Sequence, residues 1–165
     1  MIQIKKPTLA LITGHKNNPE GKLMLCPGWV SSGAWLIKAE CLKAPARACK
    51  GIHTESIPAE GLVITLENAR KDSPYPCELT DERVTKIQRR YNNRLKSPKD
   101  SYVWARFKSE GAPLAPEGVW ASLLYIEWLA GLGPIKWFCG RDWRDPIRIE
   151  NSHGETIALL MPVRP

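Results

Sequence analysis

The chain end constrains the fold most. Asp145-Pro146-Ile147-Arg148-Ile149-Glu150 is followed by Asn151-Ser152-His153-Gly154 and then by Thr156-Ile157-Ala158-Leu159-Leu160-Met161-Pro162-Val163-Arg164-Pro165. A polar, glycine-containing turn between two apolar, β-branched runs reads as strand, turn, strand. The last strand stops at a proline, which cannot donate to a further ladder bond.

Further elements follow from pattern. Residues 102–107, 135–139, 146–150 and 155–162 read as strands, as do 8–12, 22–26 and 34–37. Gly61-Leu62-Val63-Ile64-Thr65-Leu66 is a β-type run, and residues 67–78, with Pro74 and Pro76, read as loop. Residues 38–49 hold helix formers interrupted by Pro45. Thr80 is a good N-cap, Asp81 and Glu82 suit a first turn, and Val84, Ile87, Tyr91 and Leu95 recur at spacings of three and four. That pattern predicts a helix over 81–95. A second helix over 117–131 carries Trp120, Leu123, Leu124, Trp128 and Leu129, and Gly131 and Gly133-Pro134 stop it. The second half therefore runs β-α-β-β-β. No linker divides the chain. One domain over 1–165 is expected, with a divergent first half (1–100) and a closing half (101–165). Its class is α+β, with two helices packed on one face of curved antiparallel sheets.

Composition narrows the function. The 165 residues are 43% hydrophobic, enough for a packed interior, and no run approaches the length of a transmembrane helix. The first residues lack a signal peptide's apolar core, so a cytoplasmic protein is expected. Lys and Arg number 24 against 17 acids, giving +7, a balance that favours polyanion partners. The five cysteines (Cys26, Cys41, Cys49, Cys77, Cys139) include no C-x-x-C pair and no zinc spacing, which predicts reduced thiols and no metal. His15, His53 and His153 stand in polar loops, and no catalytic triad or phosphate-binding glycine loop is legible. An enzyme and a cofactor are not expected.

Two surfaces remain as candidates. Arg83, Lys86, Arg89, Arg90 and Arg94, with Lys96 and Lys99 beyond, put seven cations within seventeen residues. On a helix these would meet phosphates without reading bases. Of the seven tryptophans, Trp143 alone stands in a charged turn, Arg141-Asp142-Trp143-Arg144-Asp145, and is the one expected to be exposed for stacking or a protein interface.

The tail Leu160-Met161-Pro162-Val163-Arg164 resembles the Met-Pro-x-Arg end of the bacterial DNA polymerase III β sliding clamp. Gly118-Val119-Trp120-Ala121-Ser122-Leu123-Leu124, then Ile135-Lys136-Trp137-Phe138, then the Pro146-led strand match that family's closing half in order and length. Lys22-Leu23-Met24-Leu25-Cys26-Pro27-Gly28 is a weaker echo in the first half. The resemblance implies a clamp-like domain of two β-α-β-β-β halves whose helices pack side by side. It also implies a non-catalytic DNA-replication accessory or scaffold, with Arg83, Lys86, Arg89, Arg90 and Arg94 on duplex DNA phosphates. Met161, Pro162, Val163 and Arg164, with Leu160 beneath, would capture peptides of replication or repair proteins. A clamp subunit holds three such domains, so this chain would need to assemble with copies of itself to form a ring. Deletion of 161–165 is expected to leave the thermal transition within a few degrees. The competing readings are a small basic nucleic-acid-binding regulator of unrelated α+β fold and a metal-dependent nuclease or accessory enzyme of a mobile element.

Overall fold

A computed structural model describes residues 22–42, 53–56, 58–87, 101–110 and 118–164. Ten strands are formed among them: β1 (Lys22–Cys26), β2 (Trp29–Ser31), β3 (Trp35–Lys38), β4 (His53–Ser56), β5 (Tyr75–Ile87), β6 (Ser101–Lys108), β7 (Val119–Ser122), β8 (Ile135–Cys139), β9 (Ile147–Asn151) and β10 (Thr156–Leu160). Two helices join them, α1 (Ala59–Asp72) and α2 (Leu123–Ala130), and Ala39–Cys41 make a single 3₁₀ turn. The chain is thus α+β. One sheet runs in the order β4-β1-β2-β3-β10-β9-β8-β5-β6-β7. Every pairing is antiparallel except β1 with β4.

The closing hairpin forms as its sequence dictates. Leu160 pairs with Ile147 and Leu159 with Arg148. The Asn151 side-chain oxygen accepts the His153 and Glu155 amides at 3.0 Å, and Gly154 takes a φ of 76°, which an L side chain resists. The closing half runs β6-β7-α2-β8-β9-β10, so the expected β-α-β-β-β order is corrected to β-β-α-β-β-β, because Val119–Ser122 form a strand ahead of the helix.

The chain end then turns back across the domain. The Val163 amide donates to the Trp120 carbonyl at 2.7 Å in an isolated antiparallel bridge. This ties edge strand β7 to the chain leaving β10, so β10-β9-β8-β5-β6-β7 form a closed circuit of pairings. The larger core lies along it, built from Ala105 and Phe107 of β6, Val119 and Ala121 of β7, Ile147 and Ile149 of β9, Leu160, and Ile126 and Leu129 of α2.

Period-2 alternation sorts the two helices onto opposite faces. On β3, Trp35 and Ile37 join the larger core, and Trp35 meets Trp128 of α2 edge-to-face at 4.9 Å. Leu36 and its partner Leu159 point the other way, onto Leu62, Leu66 and Ala69 of α1. The expectation of two helices on one face is corrected: with both faces of β3 and β10 apolar, each face takes one helix.

Three further expectations are corrected. The run 61–66 is helical, because Leu62, Leu66 and Ala69 fall at i, i+4 and i+7 and cover the β3–β10 face. Glu60 in its first turn and Arg70 and Lys71 in its last suit the helix dipole. The helix over 81–95 is replaced as far as Ile87 by β5. The Thr80 hydroxyl accepts the Glu82 amide at 3.3 Å, as an N-cap would, but donates to the Arg106 carbonyl at 2.9 Å across an irregularity in the β5–β6 register. The second helix begins at Leu123 rather than 117, since Val119–Ser122 pair with β6. The strand at 8–12 and most of the helix at 38–49 lie outside the described residues.

Candidate functional site

β5 belongs to two ladders. Tyr75–Cys77 pair with β8, and from Glu78 onward the strand pairs with β6. Where it leaves β8 a cleft of about 1260 Å³ opens, walled by Trp137 and Phe138 on one side and Thr80, Arg106 and Lys108 on the other. Its cations are largely neutralised. Arg106 and Lys108 reach Glu82 at 2.6 and 3.2 Å, and Arg106 first, then Lys108, holds the Glu82 carboxyl below the usual carboxylate range. Among the described residues no group of three His, Cys, Asp or Glu side chains could hold a metal ion.

Two thiols lie beside the cleft. In the β5–β8 register Cys77 faces Trp137 and Tyr75 faces Cys139, so the cysteines are diagonal neighbours on one face. They share a hydrogen bond that raises the Cys77 thiol above its ordinary range, with burial adding to it, and lowers Cys139. Cys26, Cys77 and Cys139 form no disulfide among the described residues. Strand pairing alone brings Cys77 and Cys139 together, and a separation of 62 residues gave no local signal.

Of the five cations singled out by sequence, Arg83 and Lys86 lie among the described residues. Arg83 is exposed on β5, and its guanidinium folds back onto the Thr80 and Glu82 carbonyls at 2.5 and 2.9 Å. Lys86 is on the same strand, opposite Tyr102. Arg89, Arg90 and Arg94 lie outside the described residues.

The tail residues Leu160 to Arg164 all lie among the described residues. Leu160 is fully buried, while Met161 is 44% exposed, Pro162 and Val163 are half-buried and Arg164 is exposed. The Met161 amide donates to the Ala34 carbonyl at 2.9 Å, and Val163 makes the bridge to Trp120. Beside the tail stands Trp143, exposed as its charged setting suggested. The Arg164 and Arg144 guanidinium carbons lie 5.7 and 5.8 Å from its ring centre. The Arg164–Trp143 contact, between residues 21 apart, had no sequence signal.

No family model, curated protein or solved structure matches this chain. Among the described residues, no helix is long and apolar enough to cross a membrane.

Proposed function

We propose that this protein is a non-catalytic accessory or scaffold of DNA replication that binds nucleic-acid phosphates and replication or repair proteins. The observation that carries this reading is where the charge falls along the fold. The described residues hold 13 Lys and Arg against 14 Asp and Glu, and the remaining residues hold 11 against 3, which together make the 24 and 17 of the chain. The described residues are therefore close to neutral, and the excess belongs to the rest of the sequence. Five of those eleven cations, Arg89, Arg90, Arg94, Lys96 and Lys99, fall in residues 88–100. That stretch joins Ile87 and Ser101, the paired ends of the β5–β6 hairpin. Cations this dense in the sequence favour a polyanion through counterion release.

The replication context rests on the sliding-clamp resemblance. In support of it, the helix of the closing half is followed by three antiparallel strands, as the resemblance implies, and the Met-Pro-x-Arg tail lies at the surface beyond Leu160, while β7 adds a strand ahead of the helix. The likeness does not extend to side-by-side helices. Self-assembly and peptide capture by Met161–Arg164 belong to the same proposal.

Charge reversal tests it. Arg89→Glu with Arg90→Glu should weaken duplex DNA binding at least tenfold at low salt. The slope of log K against log salt should become shallower by about two, near one unit per lost phosphate contact. An unchanged slope removes the proposal.

A further inference from the structure

We propose that the Trp143 loop is a stacking platform for an unpaired nucleic-acid strand, a specific subsite that rests on the nucleic-acid reading above. The loop joins β8 to β9 and is built rather than slack. The Asp142 amide donates to the Asp145 carboxylate at 3.0 Å, the Asp145 amide donates to the Asp142 carbonyl at 3.1 Å, and the Arg144 amide donates to the Asp142 carboxylate at 3.1 Å. Gly140 leaves no room for a side chain against Asp145 and the Asp72 carbonyl. All of this fixes a short turn whose outermost feature is an indole 44% exposed to water. Exposure of the largest apolar side chain on a well-bonded turn runs against burial, which elsewhere in this domain takes Trp35 to 1% and Trp120 to 9% exposure.

The surroundings define the partner. Arg144 and Arg164 approach the ring within cation–π range, and exposed Arg141 stands three residues before Arg144. The loop's acids are engaged within it: Asp142 holds the Arg144 side chain at 3.2 Å, and Asp145 accepts the Asp142 amide. Arg164 has no acidic partner among the described residues. A planar apolar ring flanked by guanidinium groups matches a chain that alternates planar bases with phosphates. A duplex hides its base faces within the stack, so only an unpaired strand offers both. An acidic peptide would meet the arginines and leave the indole without a planar counterpart.

The test measures binding of a short oligothymidine and of an abasic strand with the same number of phosphates, by fluorescence anisotropy. Proteins compared are the full chain, Trp143→Ala, Trp143→Phe and Arg89→Glu/Arg90→Glu. Trp143→Ala should lose about tenfold in affinity for oligothymidine and nothing for the abasic strand, since one stacked base is removed. Trp143→Phe should recover most of the loss. Arg89→Glu/Arg90→Glu should weaken both strands alike and in a salt-dependent way. Equal binding of oligothymidine by the full chain and Trp143→Ala overturns the platform while leaving the basic segment standing. The reverse pattern, with the double reversal silent and Trp143→Ala defective, overturns the basic segment alone. A polyglutamate peptide that loses binding with Trp143→Ala when oligothymidine does not would make the loop a protein-docking surface instead. No binding of either strand by the full chain sinks both readings.

Discussion

Gly140 shows how much a single position decides. It ends β8 at a point where three segments meet: α1's last turn, the start of the Trp143 loop and Asp145 at its end. A Cβ there would lie 2.5 Å from the Asp72 carbonyl oxygen and would run into the Asp145 side chain. A backbone carbonyl cannot rotate aside as a side chain can. Asp145 could move only by giving up the bond from the Asp142 amide that shapes the loop. Gly140→Ala should therefore cost about 1–3 kcal/mol, the usual range for over-packing. In urea titration the midpoint should fall with the slope unchanged, since the surface exposed on unfolding is the same. A midpoint equal to the wild type would mean that this junction yields easily and that the loop is less firmly built than its hydrogen bonds imply.

At the scale of elements, α1 and β5 reverse what their local patterns suggest. Val63-Ile64-Thr65 is β-branched, and the strand reading of 61–66 groups Leu62, Ile64 and Leu66 on one face. In the helix, Leu62 is 8% exposed and Ile64 is 58% exposed. Leu62→Ala should therefore cost about 2 kcal/mol, whereas Ile64→Lys should stay within about 0.5 kcal/mol of wild type. A strand would make both costly, so paired urea titrations of the two variants separate the alternatives. The reason for the reversal is tertiary. Leu36 and Leu159 form an apolar pair on one sheet face, and only a stripe at i, i+4 and i+7 covers it. For β5 the competing fact is its partners. Val84 pairs with Trp104 and Ile87 with Ser101 in a ladder with β6, which outweighs a helical spacing that a lone sequence window supports. The strands β1, β3, β6, β8, β9 and β10 were legible because apolar runs bounded by Gly, Pro and Asn carry their own signal. Trp143's exposure was legible for the same local reason. What links distant residues was not: the Cys77–Cys139 pair, the Arg106–Glu82–Lys108 cluster and the Arg164–Trp143 contact exist only once the strands are in register.

At the scale of the whole molecule, the question is what the tail does for the domain that carries it. As a bare surface strip, residues 161–165 could be removed with little effect on thermal stability. The bonding argues otherwise. Met161 prolongs the pairing of β10 with β3 through Ala34, and Val163 supplies the link between the first and last strands of the circuit around the core. Each backbone bond contributes about 1 kcal/mol net, and Trp120 loses cover when the tail goes. Deleting 161–165 should then cost about 2–3 kcal/mol and lower the thermal midpoint by roughly 5–10 °C. A second variant isolates the closing link. Val163→Pro keeps the chain but removes the amide that donates to Trp120, and it should reproduce about half of the truncation's loss. If calorimetry finds both variants within a degree of wild type, the circuit is closed by side-chain packing alone. The tail would then be free to serve a partner without cost to the fold. If both fall as expected, any peptide that displaces the tail must first break the link between β7 and the chain end, so binding there would be coupled to opening of the sheet.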